Sequence, residues 1–151
     1  MRTSFIIGLA AASLASAALA QAPTVGDQIK ARQAGMKSVG AAFKGIRDEF
    51  GGKPDAAAVK RHAAVLAGHS PKVVGWFAPG TASAPGVKTA ALPAIWTRNA
   101  DFRKAAAAFD GEARKMLALA NGGDMAGVGG QVRALGGTCK GCHDDFKAKD
   151  D

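Results

Sequence analysis

Residues 124–147 read DMAGVGGQVRALGGTCKGCHDDFK, and their spacing decides the fold. Val128, Val132, Leu135, Cys139, Cys142 and Phe146 follow at steps of four, three, four, three and four. An α-helix brings residues three and four apart onto one face, so the stretch reads as one amphipathic helix with an unbroken apolar stripe. Asp124 is placed to cap its first turn. Gly129, Gly130, Gly136 and Gly137 lie inside it. Each glycine costs about 1 kcal/mol in a helix interior, so the two pairs predict something bulky close against the backbone.

Working outward, the same periodicity recurs. Over 24–50, Ile29, Met36, Phe43 and Phe50 repeat every seven residues with Val39 and Ile46 between them, the seam of a bundle helix. Gly51-Gly52 ends that helix, and Pro54 with Asp55 opens a second one running to about residue 74, with Val59, Leu66 and Val73 on one side. Residues 75–94, GWFAPGTASAPGVKTAALPA, hold three glycines and three prolines and cannot be one regular element. A third helix is expected over 95–121, with Trp96, Phe102, Phe109, Met116 and Leu117 facing inward, and Gly122-Gly123 stopping it. The expected fold is all-α: an antiparallel four-helix bundle with a long loop between its second and third helices.

The length of 151 residues suits one domain. With 48% apolar and 21% charged residues the chain is not disordered. Tyr is absent and Phe reaches only 7, which favours helices over sheets. A multidomain enzyme, a collagen and a polytopic membrane protein are all excluded.

Residues 1–20, MRTSFIIGLAAASLASAALA, read as a cleaved signal peptide. Arg2 supplies the positive start, Phe5 to Ala12 the apolar run, and Ala18-Leu19-Ala20 the small-x-small cleavage pattern before Gln21. Ser13 and Ser16 interrupt the apolar run, which argues against a membrane anchor. The mature domain would be 21–151, carrying one positive charge fewer than the full chain's +8 and no second apolar run. Export to the periplasm is expected, without a membrane span in the mature chain.

The only cysteines, Cys139 and Cys142, precede His143 in a Cys-x-x-Cys-His run. This is the attachment signature of c-type haem. Thiols three residues apart on a helix reach the two vinyl groups on one porphyrin edge, and the adjacent imidazole turns onto the iron. Zinc would need two further ligands, a thioredoxin-type pair would need a βα junction, and a disulfide across three helical residues would be strained. One covalently bound haem c, held through two thioethers with His143 as proximal ligand, is therefore expected.

A Cys-x-x-Cys-His run at residues 139–143 of a 151-residue helical chain resembles the class II c-type cytochromes, cytochrome c′ and its low-spin cytochrome c-556 relatives. The resemblance spans essentially the whole mature chain. It includes Arg32-Gln33-Ala34-Gly35-Met36, Ala91-Leu92-Pro93-Ala94-Ile95-Trp96 and Cys142-His143-Asp144-Asp145-Phe146-Lys147. It implies that Arg32 and Gln33 lie near the haem propionates, where a guanidinium forks onto a carboxylate. It also implies that Met36 faces the iron opposite His143, either as a sixth ligand or as a guard over an open site. Lys147, one turn after His143, is expected to be a solvated cation favoured by the helix dipole. His62 and His69 are expected to be surface or structural, and Trp76 and Trp96 to pack or seal the loop.

Two functions follow from the resemblance. In one, Met36 ligates iron and the protein transfers electrons through Fe(II)/Fe(III) haem. In the other, a five-coordinate haem binds NO or CO for sensing or detoxification. Peroxidatic catalysis is not expected, because the neighbours of Met36 include no His or carboxylate. The basic charge suits docking to an acidic redox partner, and nucleic acid is not an expected partner. Family members are commonly homodimers through the first two helices, and Ala41 and Ala42 are small enough for close approach.

Overall fold

A computed structural model of the protein describes residues 22–149. The expected signal peptide at 1–20 lies outside the described residues. Helix α1, Val25–Glu49, begins at a capping box in which the Thr24 hydroxyl accepts from the Asp27 N–H and the Asp27 carboxylate accepts from the Thr24 N–H. Two donors that a helix start leaves orphaned are thereby satisfied. Helix α2, Ala56–His69, starts where the Asp55 carboxylate accepts from the Ala57 N–H at 2.8 Å. It stops short of Pro71, which has no N–H to continue the ladder.

Two 3-10 turns follow, Ser70–Lys72 and Val74–Phe77, so the irregular crossing begins at 78 rather than at the expected 75. The Ser70 hydroxyl donates to Asp110 at 2.6 Å and ties the first turn to the third bundle helix. The expected single helix from 95 is also divided. A short α3, Ala94–Thr97, ends at Arg98, whose φ of −113° and ψ of 47° are not helical, and α4, Asn99–Asn121, takes over. The corner is stable because the Asn99 side-chain amide donates to the Ile95 carbonyl, which the interrupted ladder leaves open. Helix α5, Met125–Phe146, is capped by Asp124, which accepts from the Gly127 N–H at 2.8 Å.

The long helices α1, α2, α4 and α5 form the expected antiparallel four-helix bundle. Helix α1 packs on α2, α2 on α4, and α4 on α5. Val59, Leu66, Ala113, Met116, Val128 and Leu135 make a closed core toward the end away from the crossing, joined by Ile46 of α1. Ala42 belongs to that core at 4% exposure, so only Ala41 of the expected pair is at the surface.

The register of α1 against α5 is written in the glycines. A Cβ on Gly129 would lie 3.1 Å from the Phe50 ring, and one on Gly136 would lie 3.3 Å from the Phe43 ring. The bulky neighbours predicted from the sequence are thus two phenylalanines seven residues apart, seated on two glycines seven residues apart. Gly130 and Gly137 face open space, so the expectation fails for the second member of each pair.

The crossing is fastened at both ends. Gly80 and Gly86 take φ values of 82° and 70°, a conformation that favours glycine. After α5 the chain runs antiparallel to the segment before α3: the Leu92 N–H donates to the Phe146 carbonyl at 3.0 Å and the Ala148 N–H to the Ala90 carbonyl at 2.8 Å. Among the described residues no helix is long and apolar enough to cross a membrane.

Candidate functional site

At the end of the bundle opposite the closed core, a cavity of about 510 Å³ opens between α1, α4, α5 and the crossing. That volume falls within the roughly 300–1,000 Å³ of small-molecule and cofactor sites. Its walls are largely apolar: Val39 and Phe43 from α1, Val73 and Phe77 beside the 3-10 turns, Ile95 from α3, and Phe102, Ala106 and Phe109 from α4. All six residues singled out in the sequence, Arg32, Gln33, Met36, Cys139, Cys142 and His143, line this one space.

Each is placed by local structure. Cys139 and Cys142 share the inward stripe of α5 and are partly buried, and His143 follows at its exposed edge. Burial raises both thiols above their ordinary pKa; at Cys142 the neighbouring Cys139 and Asp145 push the same way. Before any covalent attachment both sulfurs are therefore protonated thiols at neutral pH. Among the described residues no cluster of three His, Cys, Asp or Glu is set to hold a metal ion, so the cysteines lack the partners for a four-ligand zinc site.

Arg32 is 2% exposed, an unusual place for a guanidinium. It donates to the Thr81 carbonyl at 2.7 Å, to the Thr81 hydroxyl at 3.1 Å and to the Thr89 hydroxyl at 2.9 Å. Its carbon also sits 4.9 Å above the Phe77 ring. Burial lowers its pKa, though a guanidinium stays charged. Gln33 donates to the Lys88 carbonyl at 2.7 Å. Both side chains therefore grip the crossing while bordering the cavity. With five N–H groups on a guanidinium and two on an amide, each keeps donors for a further acceptor.

Met36 lies on the cavity wall between those two and the Phe43–Gly136 contact. Seven residues advance both helices by about 10.5 Å. The antiparallel register set by Phe50 on Gly129 and Phe43 on Gly136 leads, at the next step, to positions 36 and 143, and both of those side chains line the cavity. Thr89, Thr81 and Phe77 were not singled out by sequence reasoning. Their only signal was two threonines in a stretch of glycine, proline and alanine.

The other expectations divide. Trp96 donates from its indole N–H to the Phe77 and Ala78 carbonyls, at 3.2 and 3.0 Å, sealing the crossing onto α3. Trp76 lies on the Gly35 backbone of α1. His62 packs on Gly45 and His69 on Trp76, both structural. Lys147 borders the cavity and is half-buried, with its backbone N–H donating to the His143 carbonyl.

The cytochrome c′ family model matches residues 27–147. The chain belongs to the cytochrome c′ family. A cytochrome c′ of Rubrivivax gelatinosus is 35% identical over 126 residues, covering 82% of this chain and 96% of the relative. A cytochrome c-556 of Agrobacterium tumefaciens is 32% identical over 124 residues, covering 81% and 98%. Among solved structures, a cytochrome c′ described as having a ligand-controlled dimer dissociation superposes with TM-score 0.81 at 29% identity, covering 85% of this chain and all of that one. A ferrous variant of cytochrome c′ from Alcaligenes xylosoxidans with bound NO superposes with TM-score 0.75 at 30% identity, covering 86% and 100%. Cytochromes c′ bind haem c, and the cavity fits that group: two thiols and an imidazole on one helix face, an apolar interior, and cationic and amide donors at the rim.

Proposed function

We propose that the protein is a periplasmic monohaem cytochrome c′ that transfers electrons and is not an enzyme. Cys139 and Cys142 hold the haem through two thioethers, His143 is its proximal ligand, and Arg32 and Gln33 present their remaining N–H groups to its carboxylates. The haem supplies an iron that cycles between Fe(II) and Fe(III). The chain would supply burial, orientation and the side chains of His143 and Met36, and a His/Met pair held on the iron would raise its potential.

The observation that carries this reading is that Met36 and His143 line one cavity from two different helices, which supports a role for both side chains at the same group. The relationship to a cytochrome c-556 as well as to cytochromes c′ supports it. No carboxylate lines the cavity among the described residues, so the wall around Met36 offers no acid for peroxide chemistry. The reading includes a cleaved signal at 1–20 and docking to an acidic redox partner, steered by the net positive charge.

A second reading, NO or CO binding at an open sixth site, is favoured by the NO-bound relative. In it Met36 guards the space. Optical spectra of the ferric and ferrous holoprotein near neutral pH, before and after CO, separate the two. Sharp split ferrous bands that CO alters only slowly, as it displaces a ligand, support electron transfer with Met36 as ligand. Broad high-spin bands that shift with CO overturn it in favour of gas binding. A homodimer through α1 and α2 belongs to the same proposal, with sedimentation as its test.

A further inference from the structure

Gly35 immediately precedes Met36, and the structure shows why no larger residue stands there. A Cβ on Gly35 would lie 2.5 Å from Cη2 of Trp76, 2.6 Å from Cζ2 and 3.0 Å from Cε2. The indole therefore rests directly on the α1 backbone. Gly45 of the same helix seats His62 in the same way, at 2.5 Å, whereas Gly40 between them meets nothing within 4 Å, so Gly35 is the contact of this kind next to Met36. The indole is backed by the His69 ring, 5.6 Å away and tilted at 53°. The His69 Nδ1 is buried without a hydrogen-bond partner, so that imidazole serves here as packing. Trp76 is thus clamped between the end of α2 and the backbone of α1.

The same 3-10 turn couples this clamp to the cavity. The Trp76 N–H donates to the Val73 carbonyl at 3.2 Å, and Val73 and Phe77 on either side of Trp76 line the cavity. Consecutive helical residues point about 100° apart, so α1 can offer Gly35 to the indole and Met36 to the cavity at once.

We infer that Trp76 is a positioning residue for Met36: by seating its indole on Gly35 it holds that turn of α1 inward, so that the Met36 thioether occupies the space facing His143. This rests on the proposed role of Met36 at the sixth site, whether as ligand or as guard. In either role an added ligand must displace or pass Met36, so a looser turn admits it faster.

The test is the rate of CO association with the ferrous holoprotein, measured by stopped flow for the parent, Trp76→Ala, Met36→Ala and the double variant. Trp76→Ala is expected to bind CO at least about tenfold faster than the parent, with Trp76→Phe closer to the parent. In the Met36→Ala background the Trp76→Ala effect is expected to vanish. If Trp76→Ala binds at the parent rate while Met36→Ala is faster, the positioning role is overturned and the Met36 reading survives. If Met36→Ala itself leaves the rate unchanged, both fall. An undiminished Trp76→Ala effect in the Met36→Ala background also overturns the positioning role. Should Trp76→Ala yield no holoprotein, Gly35→Ala decides: its methyl cannot coexist with the indole at 2.5 Å, and a parent-like rate rejects the inference.

Discussion

Met36 and His143 line the same cavity from α1 and α5, one heptad beyond Phe43 on Gly136 and two beyond Phe50 on Gly129. At the first two steps an aromatic ring fills the gap against a glycine. At the third the pair is a thioether and an imidazole, and the gap is the cavity. One repeating register thus supplies both the packed part of the interface and the two candidate axial side chains.

The glycines give a graded stability test. Gly130→Ala, at an exposed position with open space, should stabilise the protein by about 0.5–1 kcal/mol through helix propensity. Gly129→Ala should gain less, because its methyl meets the Phe50 ring at 3.1 Å. Urea unfolding of the two holoproteins checks the order.

Arg32→Ala should destabilise by about 2–4 kcal/mol, since it leaves the Thr81 and Thr89 acceptors unpaired in a closed space. Limited proteolysis should then cut within residues 78–90 before the helices. Equal protection of parent and variant would show that the crossing is held without it.

The Ser70–Asp110 bond carries a pH signature. The Arg114 guanidinium first, and the Ser70 hydroxyl second, lower the Asp110 pKa. A carboxylate depressed in the folded state adds stability that is present above its unfolded pKa of about 3.9 and is lost as pH falls through the lower folded value. Ser70→Ala should therefore cost about 1 kcal/mol near pH 7, and the difference from the parent should shrink below about pH 4. Thermal unfolding at pH 7 and pH 3 reads both.

The covalent proposal has a simple readout. Parent protein and His143→Ala should both retain haem stain after denaturing electrophoresis, while Cys139→Ser with Cys142→Ser should lose it. His143→Ala should differ from the parent in its visible spectrum. A colourless parent band would overturn the covalent haem.

Much of this was legible in the sequence because it depends on period. The heptad stripe of α1 and the alternating steps of α5 are local patterns, and the Cys-x-x-Cys-His run is local chemistry. The corner at Arg98 was hidden because Ile95 and Phe102, seven residues apart, keep helical phase across it. The two-sided use of α1 near Met36 was hidden too: Gly35 is required by an indole 41 positions away, and Arg32 is held by hydroxyls 49 and 57 positions away. Pairings across an aperiodic crossing leave no mark in the spacing of either partner.

The short clasp between the segment at 90–92 and the residues around Lys147 bears on fraying of α5. Cys142 and His143 lie between that clasp and the Phe43–Gly136 contact, so their turn is held from both sides. The end of a helix is ordinarily its loosest turn. Here that turn cannot unwind until two backbone hydrogen bonds to a separate segment have broken, and the clasp thus acts as a stop that keeps the thiols and the imidazole in register with the opposite wall.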